Sequence, residues 1–230
     1  MDPLERYNSG IDTIIPRETV FPCCFVTTPK QMFMSLMAGE RVCFKGYNEA
    51  ARYYLRTAEI FRSLYAPGMS DYGFVLALNN YIVRNIRYDY DVLTKETLTP
   101  EDMESFEIDA PLFKGKGVCS AKSKFFSLLC SLANICTVLV TGSLKDCTDD
   151  SRHAWNKVFL QKPGDSAPKW WNIDVTNNRV HRRFDLGYGD YFLVTDREIM
   201  RTHFFIEYDE TFEYRQINRL VTGSFDYPAA

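Results

Sequence analysis

The chain has 230 residues, 46% of them hydrophobic and 25% charged, with 27 basic against 30 acidic side chains. That is the composition of an ordinary globular protein, which excludes general disorder, and a formal net charge of -3 argues against nucleic acid or an anionic membrane as the main partner, because both call for a basic footprint. The seven cysteines are an odd count, so at least one thiol should be free.

The first thirty residues mix Pro3, Pro16, Pro22 and Pro29 with short β-branched runs such as Thr13-Ile14-Ile15, and read as irregular chain or short strands. Met1-Asp2-Pro3-Leu4-Glu5-Arg6 lacks the basic and apolar regions of a secretory leader, so the expectation is a cytoplasmic protein without a membrane segment. In a reducing compartment Cys23, Cys24, Cys43, Cys130, Cys136 and Cys147 read as small buried hydrophobes rather than bonded pairs. With three histidines and no CxxC spacing, neither metal nor other cofactor is expected.

Apolar spacing predicts a short amphipathic helix over 31–38, stopped by Gly39, and a strand over 41–44. Asn48 caps a stronger helix ending at Pro67-Gly68, and Ser70 caps a third that runs into Arg87-Tyr88-Asp89-Tyr90-Asp91. After a polar stretch over 94–109 comes Gly115-Lys116-Gly117-Val118-Cys119, which opens a helix of about fifteen residues with an apolar stripe through Phe125, Leu128 and Leu132. Beyond Asn134 the pattern changes to period two, and 137–141, 153–160, 169–175 and 191–194 read as strands. Helices followed by a mainly antiparallel sheet define an α+β fold, with the Cys119 helix packed on that sheet.

The chemistry concentrates at that helix start. Two glycines let the backbone turn tightly before Cys119, whose sulfur then sits where free N–H groups and the helix dipole favour a thiolate, with Lys116, Lys122 and Lys124 nearby. Alternation along 152–160 places His153 and Trp155 on one strand face and Asn156 on the other. The next strand carries Trp170, Asn172 and Asp174 on one face, and antiparallel pairing makes His153 and Asp174 cross-strand neighbours. A thiol, an imidazole and a carboxylate in that relation supply a nucleophile, a general base and the group that fixes the base's tautomer.

These three segments together resemble the transglutaminase-like superfamily. Gly115-Lys116-Gly117-Val118-Cys119 is similar to its nucleophile motif, Arg152-His153-Ala154-Trp155-Asn156-Lys157-Val158 to its histidine strand, and Trp170-Trp171-Asn172-Ile173-Asp174-Val175-Thr176 to its aspartate strand. The resemblance runs from about Ser70 to His203, and departs where Ser120-Ala121-Lys122-Ser123 replaces the small residue, glycine and aromatic that usually follow the cysteine. It implies a papain-like catalytic core over 67–205, an N-terminal extension over 1–66 packed on it, and a C-terminal extension over 206–230. The implied activity is a cysteine peptidase or amidase working on a protein or peptide substrate through Cys119, His153, Asp174 and a thioester. A glutamine transglutaminase and a non-enzymatic module that keeps the fold are the alternatives. Tyr88 and Trp155 are candidate substrate or oxyanion contacts, with a buried aromatic wall as the other reading of each. Arg179-Val180-His181-Arg182-Arg183 reads as a solvated loop or a contact for acidic substrate. His203 reads as a structural residue at the sheet edge, and oligomeric state is left open.

Overall fold

The computed structural model describes residues 24–145, 152–178 and 191–208. Expectations for Thr13-Ile14-Ile15, Cys23, Cys147, the basic run at 179–183 and all but the first residues of the C-terminal extension lie outside them.

Strand β1 (Cys24–Phe25) pairs in parallel with β2 (Val42–Cys43), on either side of helix α1 (Pro29–Met37). Thr28 opens α1 with a capping box: its hydroxyl accepts from Gln31 N at 3.2 Å while the Gln31 side chain accepts from Thr28 N at 3.3 Å. Asn48 and Ser70 cap α2 (Glu49–Leu64) and α3 (Asp71–Asn85), as their side-chain chemistry predicts. Strands β3 (Arg87–Tyr88) and β4 (Lys116–Gly117) form a second short parallel pair, and between them the polar stretch folds into small turns and the one-turn helix α4 (Pro100–Met103).

Helix α5 (Cys119–Leu132) is the centre of the molecule. It is buried on nearly every side, with α1, α2 and α3 against one flank and the sheet against the other. One continuous core joins Met32, Phe44 and Tyr54 of the N-terminal segment to Phe125 and Leu128 of α5 and to Val158 and Ile173 of the sheet. Asn134 ends the helix region with a left-handed φ of 55°, which asparagine tolerates.

Strands β5 (Thr137–Leu144), β6 (Arg152–Leu160), β7 (Lys169–Ile173) and β8 (His203–Tyr208) form one antiparallel sheet in the order β7-β6-β5-β8. The expected α+β arrangement is the one observed. Two elements differ from the sequence reading. Residues 191–194 touch β7 only through the Asn172–Val194 bridge, because Leu193 takes a φ of 53° and breaks the extended run before the one-turn helix α6 (Asp196–Ile199). Strand β8 was not expected; it adds to the outer edge of β5 through a bulge at Thr141/Gly142. Gly142 is required there: a Cβ would stand 2.1 Å from the Phe204 carbonyl oxygen and 2.7 Å from the Trp155 ring.

Candidate active site

The loop before α5 is fixed from three directions. Gly115 turns with a φ of 61°, and a Cβ there would stand 3.2 Å from the Asn85 carbonyl oxygen. The β3–β4 register places Tyr88 opposite Gly117. Below them the buried Asp89 carboxylate takes the Ser105 hydroxyl at 2.6 Å and the Lys116 ammonium at 2.9 Å, while Val118 N–H donates to Ser105 O at 2.9 Å. Burial alone would raise the Asp89 pKa, and these two donors outweigh it and lower it. The N-cap residue Val118 has no side chain to satisfy the first-turn N–H groups, so they face the site rather than a cap. Cys119 therefore starts the helix with its thiol 9% exposed, packed against Tyr88, Leu139 and Ala154.

His153 comes from β6 and Asp174 from the residue just beyond β7. The register pairs Asn156 with Ile173, so His153 reaches Asp174 diagonally rather than straight across. The contact is made nonetheless, His153 Nε2 to Asp174 Oδ2 at 2.8 Å, with both groups buried. Asp174 is fully enclosed by five donors. Its Oδ1 accepts from Thr176 N at 2.9 Å and Asn177 N at 3.2 Å; its Oδ2 accepts from His153, from Asn177 Nδ2 at 2.8 Å and from His203 Nε2 at 3.2 Å. Desolvation would push this carboxyl up, but the two histidines and their hydrogen bonds hold it well below the usual carboxylate range.

A carboxylate on Nε2 fixes the imidazole's orientation, and the Cys119 thiol lies within electrostatic reach of this ring. Burial would lower the His153 pKa; Asp174 first and Cys119 second override it and raise the ring to about 10. Burial would likewise raise the Cys119 pKa, yet His153 and the N–H groups of Ala154 and Ser120 bring it below its ordinary value. The favoured state is a thiolate beside an imidazolium.

Of the other residues singled out in the sequence, Tyr88 lies at the site. It packs against Cys119, and burial foremost, then the neighbouring thiol, raises its pKa. Trp155 is displaced from the proposed contact role: it is sealed from solvent, and its indole N–H donates to Asn172 Oδ1 at 3.1 Å. Its ring instead backs the histidines, stacked on His153 at 6.2 Å and edge-on to His203 at 4.9 Å. Asn156 faces the opposite way, as alternation predicts, and its amide donates to Ser123 O at 3.2 Å and Ser127 Oγ at 2.9 Å, clamping α5 to β6. The three lysines do not act alike, because Lys116 and Lys124 are paired with Asp89 and Glu107 while Lys122 is buried beside the triad.

His203 stands on the edge strand β8, in keeping with its reading as a structural residue at the sheet edge, but with a contact the sequence did not announce: it is 1% exposed, bound to Asp174, and held from behind by the Thr202 hydroxyl at 2.9 Å on Nδ1. It arrives on the unexpected strand β8, so only the apolar run after Thr202 signalled it. Asn177 was also missed; its position three residues after Asp174 suits a turn in which the carboxylate takes backbone N–H groups. Cys43, taken as a free packing residue, is disulfide-bonded, while Cys24, Cys119, Cys130 and Cys136 are free. His153, Asp174 and His203 present ligand-type atoms within 4.8 Å of one another, although a cation there would have to displace hydrogen bonds that already fill the carboxylate. Among the described residues no helix is long and apolar enough to cross a membrane.

The chain is an α+β fold that brings a buried strand imidazole onto an enclosed carboxylate, with a cysteine at the start of its central helix. More narrowly, the family model of the transglutaminase-like superfamily matches residues 58–175, just over half of the chain, and the chain belongs to that superfamily. Among solved structures it is similar to a TGase at 16% identity over 57% of this chain and 34% of that one, with a TM-score of 0.45. It is also similar to a candidate cysteine protease from Cytophaga hutchinsonii (20% identity, 55% and 37% coverage, TM-score 0.39). A candidate protease from Parabacteroides distasonis ATCC 8503 shows 11% identity, 61% and 27% coverage, and a TM-score of 0.34. The chain spans about a third of the length of these structures, and no curated protein matches it.

Proposed function

We propose that the chain is a thiol-dependent acyl-transfer enzyme, a cysteine peptidase or amidase, with Cys119 as nucleophile, His153 as acid and base, and Asp174 as the group that orients His153. The observation that carries this reading is the buried 2.8 Å His153–Asp174 contact, with Cys119 at the start of α5 close enough to the same ring for its pKa to be lowered by it. The Cys119 thiolate attacks a carboxamide or peptide carbonyl carbon, forming a C–S bond and an oxyanion. As the C–N bond breaks, the His153 imidazolium gives its proton to the leaving nitrogen, and a thioester remains. Neutral His153 then takes a proton from an attacking water, the C–S bond breaks, and acid and thiolate are released.

The Cys119 backbone N–H, first in α5 and without a partner among the described residues, supplies one oxyanion donor. The Tyr88 hydroxyl is the second: the residue packs against Cys119 and its raised pKa keeps it protonated. Trp155 is left out because its N–H is committed to Asn172.

A glutamine-containing peptide incubated with excess primary amine tests the reading by mass spectrometry. A carboxylate product that disappears in Cys119→Ala is expected. An amine adduct as the dominant product would make the protein a transglutaminase, and no turnover with Cys119 alkylated no faster than free cysteine would leave only a binding fold.

A further inference from the structure

Of the three lysines around the start of α5, Lys122 alone is not paired with a carboxylate among the described residues, and the mechanism above does not use it. Three residues on from Cys119, Lys122 shares its helix face, and helical side chains lean back toward the N-terminus, so its stem runs from the second contact of that face toward the thiol. The residue is 4% exposed, yet its ammonium has no hydrogen-bond or ion-pair partner among the described residues. Lys116 and Lys124, its neighbours in sequence, are held by carboxylates at 2.9 and 2.6 Å.

Two anions lie within electrostatic reach of Lys122, Asp174 and Cys119, and neither has capacity left for it. Asp174 already accepts from five donors, and the charge of the Cys119 sulfur is already offset by His153 and the nearby Ala154 and Ser120 N–H groups, which lower its pKa. The polar atoms that are sealed from solvent without a partner do not include Lys122 Nζ, so the small exposed area of this residue includes its ammonium. Burial of that ammonium lowers its pKa, the mark of a cation short of a counter-ion.

We propose that Lys122 forms an anion-binding subsite beside the Cys119 sulfur, and that it takes a free carboxylate carried on the acyl part of the substrate. This deepens the proposed function and rests on Cys119 being the nucleophile. A neutral amide oxygen would satisfy one hydrogen bond but leave the buried charge unmatched; a carboxylate satisfies both. Such a group within a few bonds of the scissile carbonyl would anchor the acyl chain while the carbonyl sits over the sulfur. Selectivity then lies between acyl donors with and without that carboxylate.

Iodoacetate and iodoacetamide differ only in carboxylate against carboxamide and report on the thiol without any natural substrate. Rates are read on the Cys119 peptide by mass spectrometry, relative to glutathione. In the wild type the iodoacetate to iodoacetamide ratio should exceed that of glutathione by about tenfold, the effect of one close charge in a poorly solvated site. Lys122→Met should lose most of that excess, read as the ratio so that any change in thiol reactivity cancels, and Lys122→Arg should retain it. An unchanged ratio in a folded Lys122→Met with fast iodoacetamide alkylation would overturn the subsite and leave the nucleophile standing. Slow iodoacetamide alkylation of the wild type would overturn the nucleophile, and the subsite with it. A wild-type measurement guards against a variant that does not fold: glutarate, but not glutaramide, should slow iodoacetamide alkylation of Cys119, and equal slowing by both or by neither would overturn the subsite.

Discussion

The two ends of α5 carry the same side chain in opposite chemical states. Cys119 at the first turn and Cys130 in the last are both buried, and burial raises both thiols. At Cys130 nothing opposes it, and neighbouring Asp71 and Cys136 push the pKa further up. At Cys119 the His153 imidazole and two N–H groups overcome it. Enclosure by itself therefore disfavours the thiolate; a charged partner inside the enclosure favours it.

The largest expected effect comes from turning the first end into the second. His153→Ala should lower kcat/KM by about 10⁴-fold, comparable to Cys119→Ala, since residues that act as a unit are lost as a unit. The same variant should bring Cys119 alkylation near pH 6 down toward the rate of an unactivated thiol. Asp174→Asn comes next. It removes the orienting charge and should cost about 10²- to 10⁴-fold in kcat. Unfolding in urea should also show a loss of about 3–5 kcal/mol, because two buried histidines lose their shared acceptor.

The pair also shapes stability against pH. His153 has a folded pKa of about 10, above its unfolded value, so its contribution is complete below about pH 6.5 and is lost as pH rises toward 10. Asp174 has a depressed folded pKa, so its contribution is present above about pH 4 and is lost on acidification. Urea midpoints should thus be highest between about pH 4 and 6.5, and His153→Ala should remove the alkaline decline. A decline that persists in His153→Ala would assign it to other groups.

Smaller effects sharpen the comparison by moving α5 against the sheet. Asn156→Leu removes both bonds that clamp the helix to β6 and should cost about 1–3 kcal/mol, read from urea midpoints, with a fall in kcat but little change in KM. His203→Gln keeps a donor for Asp174 and should lower kcat by less than about tenfold. A loss as large as that of Asp174→Asn would make His203 an equal member of the site.

What could be read from residues alone follows from what was local. Asn48, Ser70 and the apolar stripe of α5 announce three helices because capping and periodicity act within a few residues. The nearness of His153 to Asp174 was legible because strand alternation fixes the face of each, and Cys119 drew notice because its motif opens a regular helix. His203 and Lys122 were not legible, since their meaning comes from distant packing. His203 reaches Asp174 only once β8 adds to the edge of β5, and Lys122 looks like any surface lysine until the chain folds over it. Between its two readings Trp155 takes that of a buried aromatic wall, and the choice lay beyond local pattern because the Asn172 acceptor that captures its N–H comes from a neighbouring strand.

The central claim is the thiolate–imidazolium pair, and its direct measurement is the ultraviolet thiolate absorbance of the wild type minus Cys119→Ser, followed from acid to alkaline pH. The account predicts a thiolate signal already present at about pH 6 that disappears in His153→Ala. A single titration near pH 8.5, unchanged by His153→Ala, would contradict it.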